Sequence, residues 1–148
     1  MKVCDGYYLY YEYITKNNLF KKESDMYCCS KLVLRNNFST IFEIKMDNDY
    51  MAALYDGLIC LYDNTLPFKL NIAPSNSYNK FIIEGKYNPG GYIEGKEFII
   101  SITEISINNI NSNYTFYFDL DKLGELMNAI YRKENKIENK IYELFFGV

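Results

Sequence analysis

From Tyr7 to Phe118, residues 49–63 apart, the apolar residues come in runs of strand length, most of them closed by Asn, Pro or Gly. Beyond Asp119 their spacing becomes helical. This change of period is the strongest constraint on the fold. Strands joined by short turns pair antiparallel, because parallel neighbours need a crossover of about a dozen residues or more. The expectation is an α+β protein: a mostly antiparallel, meander-like sheet of about six to eight strands, with a C-terminal helix packed on one face. A chain of 148 residues can bury one core and is short for two, so residues 1–148 read as one globular domain.

The individual runs support that reading. Tyr7 to Thr15 is aromatic and β-branched, and Lys16-Asn17-Asn18 ends it. Met26 to Leu34 and Phe38 to Met46 are joined at Asn36-Asn37, residues that tolerate the backbone angles of a tight hairpin. In the second run, Phe38, Thr40, Phe42 and Ile44 share one face of a half-buried strand. Residues 80–87 form another strand, followed by Asn88-Pro89-Gly90-Gly91 as a turn. In Tyr92 to Ile107 the alternation changes phase, which predicts a bulge near Thr103-Glu104. A polar loop, Asn108 to Asn113, precedes a short strand from Tyr114 to Phe118.

Two segments carry helical spacing. In residues 49–63, Asp49 is placed to cap a helix whose stripe is Met51, Leu54, Tyr55, Leu58, Leu61 and Tyr62. A hairpin about Asp56-Gly57 competes, but the clean stripe and the pair Ala52-Ala53 favour the helix. At the end of the chain Asp119 or Asp121 caps a helix with Leu120, Leu123, Met127 and Ile130 on one face. The rhythm resumes at Ile137, Ile141 and Leu144, as one long helix or two broken near Glu134-Asn135-Lys136.

The chain contains no histidine, which removes the commonest general base and every Ser-His or Cys-His nucleophile pair. No phosphate-cradling glycine loop is present, so neither catalytic residues nor a cofactor is expected. Asp47-Asn48-Asp49 and Asp119-Leu120-Asp121 with Glu125 have the oxygens for Mg²⁺ or Ca²⁺, but Asp and Asn there suit caps and turns better, and no metal is expected. Cys4, Cys28, Cys29 and Cys60 lack paired zinc-ligand spacing and read as reduced, partly buried thiols. With 16 basic against 19 acidic residues the net charge is −3, which argues against direct nucleic-acid binding. Asp5 and Glu12 interrupt what would be the apolar part of a signal peptide, and no run approaches the ~18 apolar residues of a membrane helix. A cytoplasmic protein with no membrane contact is the expectation.

What remains is contact chemistry. In Tyr7-Tyr8-Leu9-Tyr10-Tyr11-Glu12-Tyr13 both strand faces are aromatic, and only one is needed for an ordinary core. Tyrosine supplies rigid contact area with a hydroxyl that tolerates water, so Tyr8 and Tyr10 are candidate partner-binding residues. Asp47, Asp49, Asp56 and Asp63 join them, since an acidic patch complements a basic partner and speeds association. In size, charge and catalytic bareness the chain resembles the small acidic α+β proteins that serve as immunity partners of bacterial toxins or as phage-encoded inhibitors of host defence. The resemblance implies a non-enzymatic inhibitor that occludes a basic surface of a partner such as a nuclease toxin or defence effector. The alternative is an assembly protein forming homo-oligomers through a helix over residues 121–146, with Leu123, Met127, Ile130, Ile137 and Ile141 at the seam.

Overall fold

A computed structural model describes residues 8–13, 30–36, 38–74, 77–89, 97–132 and 140–144. In chain order they form β1 (Tyr8–Tyr13), β2 (Ser30–Arg35), β3 (Thr40–Met46), α1 (Asn48–Asn64), β4 (Phe68–Ile72), β5 (Lys80–Asn88), β6 (Glu97–Ile105), β7 (Asn111–Asp119), α2 (Leu120–Arg132) and β8 (Lys140–Leu144). The strands make two four-stranded sheets, ordered β3-β2-β1-β8 and β4-β5-β6-β7, with every pairing antiparallel. The α+β reading holds, and the helix that follows β7 packs on strands of both sheets.

Alternation builds the core. Leu9, Leu32, Leu34, Phe42 and Ile44 point inward from the first sheet, and Phe81, Ile83, Ile100, Ile102 and Phe116 from the second. The sheets meet where the Phe42 ring lies 5.3 Å from Phe81 and 5.6 Å from Tyr114. Each such side chain removed from water contributes about 1.5–3 kcal/mol. Tyr11 is fully buried because its hydroxyl hydrogen-bonds the Ser30 hydroxyl at 2.7 Å. Val33 is also buried (1% exposed), yet it stands on the other side of β2 from Leu32 and Leu34 and outside the core cluster. The outward face of the first sheet is therefore covered at that point.

The helical reading of residues 49–63 is correct. Met51, Leu54, Leu58 and Leu61 are buried, with Tyr55 and Tyr62 packed half-buried beside them. The cap is Asp47, not Asp49: its Oδ1 accepts from the Tyr50 backbone N–H at 2.9 Å, while Asp49 sits in the first turn. Thr65 ends the helix in the left-handed region (φ 55°), its N–H donating to the Leu61 carbonyl at 3.0 Å. Asp119 caps α2 in the same way, accepting from Lys122 N–H at 2.8 Å.

Several expectations are corrected. Residues 140–144 form not a second stretch of helix but the strand β8, which pairs with β1, so Ile141 and Leu144 are sheet positions. Residues 134–137 lie outside the described residues. Leu123 and Ile130 are buried in the core and Met127 packs against it, so the seam suggested for self-pairing is used within the chain. Phe38 is 93% exposed instead of lying on a core face, because it occupies the β2–β3 turn, where the Asn36 side chain accepts from the N–H groups of Phe38 (2.9 Å) and Ser39 (2.8 Å). A register shift opposite Leu34 and Arg35 leaves Ile41 as an extra residue, which resets the alternation of β3. No shift occurs near Thr103-Glu104: β6 runs in register with both neighbours, Ile105 lies half-exposed on the outward face and Ile107 in the turn beyond. The strand β4, bracketed by Pro67 and Pro74, was not anticipated, and β7 begins at Asn111 inside the expected loop.

Two glycines seat α1 on the second sheet. Gly57 of α1 and Gly85 of β5 flank the Phe68 ring, and a Cβ on either one would fall within normal contact distance of that ring. This close approach fixes the helix against β4 and β5, and so fixes which of its residues face outward.

Candidate functional site

With α1 held in this way, Asp49, Asp56 and Asp63 all stand at exposed positions. Seven residues separate each from the next, nearly two helical turns, so the three carboxylates share one outward face with only ~20° of drift per step. At about 1.5 Å per residue they form a row roughly 20 Å long. Exposed Ala52, Ala53 and Cys60 lie among them, so the ground between the charges is flat. The sequence of α1 contains no Lys or Arg.

The three aspartates have different local justifications. Asp49, in the first turn, is favoured by the positive end of the helix dipole. Asp63 lies in the last turn, where a negative charge opposes the dipole at a cost of about 0.3–1 kcal/mol and where no basic residue offsets it. Asp56 sits midway with no capping duty. Folding explains the first and leaves the other two without a local stabilising role.

The neighbouring helix extends the acidic character. α1 and α2 run antiparallel, with Tyr55 stacked on Tyr131 at 6.1 Å and Tyr62 beside Gly124. Exposed Asp121 and Glu125 lie on α2 together with Lys122.

Of the other candidates, Asp47 is spent on its cap and is only half-exposed. Tyr8 and Tyr10 take register positions opposite Arg35 and Val33 in the first sheet, on a different element from the aspartates. The structure therefore brings Asp49, Asp56 and Asp63 together and leaves Asp47, Tyr8 and Tyr10 apart from them. The signal that identifies the row is the seven-residue spacing, which gains meaning only once the helix is established.

Other chemistry is sparse. Lys31 lies between two carboxylates, 3.5 Å from Glu12 and 3.4 Å from Glu43, as a bridge across β1, β2 and β3. Partial burial pulls its ammonium pKa down, but Glu12 and Glu43 outweigh that and hold it above the ordinary lysine value. Glu97 is buried and accepts from Asn88 Nδ2 at 2.6 Å. A groove of about 470 Å³ on the outward side of the second sheet is lined by Lys69, Glu84, Lys86, Ser101 and Asn113. Among the described residues no three His, Cys, Asp or Glu side chains are grouped to hold a metal ion, the Asp119-Asp121-Glu125 set included. Cys60 is exposed, unlike the partly buried thiol expected, and the other cysteines lie outside the described residues. No helix among the described residues is long and apolar enough to cross a membrane.

Comparison with known proteins adds no relative: no family model, no curated protein and no solved structure matches the chain.

Proposed function

We propose that this chain is a non-enzymatic protein-binding inhibitor whose acidic α1 face occludes a basic surface of a partner enzyme, of the kind found on nuclease toxins and defence effectors. The observation that carries the reading is the row Asp49, Asp56 and Asp63 on a helix without a basic residue, one member of which opposes the helix dipole. A row of charge on a rigid helix suits electrostatic steering: it raises the rate of encounter with a complementary surface, and salt weakens the effect.

The test is charge reversal. Because all three residues are exposed, the D49K/D56K/D63K variant keeps the fold, as checked by circular dichroism. Its association rate with the enzyme captured by the wild-type chain falls at least tenfold at low salt, and the loss shrinks as salt rises. An unchanged rate would remove the α1 face from the interface.

A further inference from the structure

One face of the second sheet packs on α1, and the other carries the groove of about 470 Å³, a volume within the ~300–1,000 Å³ of small-molecule sites. A Cβ on Gly85 would point at Phe68 and Leu61, so Gly85 faces α1 and its neighbours Glu84 and Lys86 face away. Register places the rest of the groove. Lys69, Glu84, Ser101 and Thr115 lie abreast across β4, β5, β6 and β7, and Lys86 stands beside Ile99 in the next row. Ser101 is short and the side chains of Lys69, Glu84, Lys86 and Ile99 rise around it, which makes the sheet surface concave there.

The charged groups of the groove are not used by the fold. Lys69 and Glu84 are register partners, yet among the described residues no ion pair or side-chain hydrogen bond engages either of them or Lys86. The floor, in contrast, is ordered. Thr115 Oγ1 donates to Asn113 Oδ1 at 3.0 Å, and Asn113 Nδ2 donates to Thr103 Oγ1 at 2.7 Å. With its proton given to Asn113, Thr115 accepts from Ser101 at 3.5 Å, which leaves the lone pairs of Ser101 Oγ for a ligand.

These groups narrow the ligand by their chemistry. A simple anion is opposed by Glu84, and a cation by Lys69 and Lys86. A zwitterion meets the charges but not the hydroxyl and amide floor, and an apolar molecule would leave all of these groups without partners on desolvation. Hydroxyl groups satisfy every one, since each can donate to Glu84 or Ser101 and accept from Lys69, Lys86 or Asn113. The C–H face of a sugar ring has half-buried Ile99 to lie on, with its register partner Tyr117 beside it. We infer that this groove binds a short neutral oligosaccharide. The site is independent of the acidic row on α1, which lies across the sheet from it.

The experiment is ¹H–¹⁵N correlation spectroscopy of the full chain titrated with maltotriose, cellotriose and chitotriose, and separately with inorganic phosphate and glycine. At least one trisaccharide at millimolar concentration shifts the amide resonances of Lys69, Glu84, Lys86, Ile99 and Ser101, while phosphate and glycine leave them in place. In E84K and in S101F, which fills the floor, binding weakens about tenfold or more, the loss of one charged hydrogen bond, with the circular dichroism spectrum of the wild type. D49K/D56K/D63K binds the sugar as the wild type does, which separates this site from the α1 face. The proposal is overturned if none of the three trisaccharides moves these resonances, if phosphate or glycine moves them as strongly, or if E84K and S101F bind as tightly as the wild type.

Discussion

Substituting Gly85 by alanine tests how α1 is held on its sheet. The new Cβ would collide with Phe68 Cε1, lie 2.9 Å from Phe68 Cδ1 and come 3.0 Å from the Leu61 methyl Cδ2. The obstacle is a ring already wedged against Gly57, not the free end of a flexible chain, so relief requires moving β4 or the helix. Overpacking of this kind costs about 1–3 kcal/mol, and the upper half of that range is expected here because contacts close in from two residues. G57A meets the same ring at 2.8 Å, but alanine regains about 1 kcal/mol of helix propensity, so its net loss is smaller. Urea unfolding followed by circular dichroism gives both values. The decisive step is a double-mutant cycle: in an F68A background G85A becomes nearly neutral, a coupling of about 1–3 kcal/mol. Wild-type stability for G85A, or strict additivity with F68A, would refute the notch.

Other outcomes follow from the same geometry. D47A loses the cap of α1 and about 1 kcal/mol of stability, whereas D63K relieves the unfavourable dipole contact and gains about 0.3–1 kcal/mol, both read from urea midpoints. The bridge at Lys31 sets a pH dependence. Its folded-state pKa is raised above 10.5, so its stabilising contribution is intact below that value and is lost as pH climbs through the folded pKa. Glu43 is substantially exposed and solvent screens the pair, so the effect is small. Measured as the stability difference between wild type and E12Q/E43Q, it declines above pH 10.5; a constant difference would show that the bridge contributes nothing.

Much of this fold was written in hydrophobic period. The stripe of α1 resolved a real ambiguity, since Asp56-Gly57 alone argues for a hairpin, and burial of Met51, Leu54, Leu58 and Leu61 decided it. In β4, Phe68, Leu70 and Ile72 alternate with Lys69 and Asn71, but a five-residue strand with a proline close to each end carries too short a pattern to stand out from a turn. Ile141 and Leu144, three residues apart, fit helical spacing and fall on opposite faces of a strand, so the local pattern favours the helix; the strand forms through pairing with β1, a long-range partner that no local pattern reveals. The acidic residues were visible individually. Their arrangement was not, because Asp49, Asp56 and Asp63 form a row only when the segment between them is helical, and because Asp47 shares their chemistry while serving as a cap.

The proposed inhibitor role requires the exposed acidic row of α1 to meet a basic partner. Native mass spectrometry of tagged chain expressed in its source cell and purified gently tests it most directly. The expected result is a complex holding equal numbers of this chain and a basic enzyme, lost when D49K/D56K/D63K is expressed instead. Recovery of the chain without such an enzyme, or an equal yield of the complex from the variant, would contradict it.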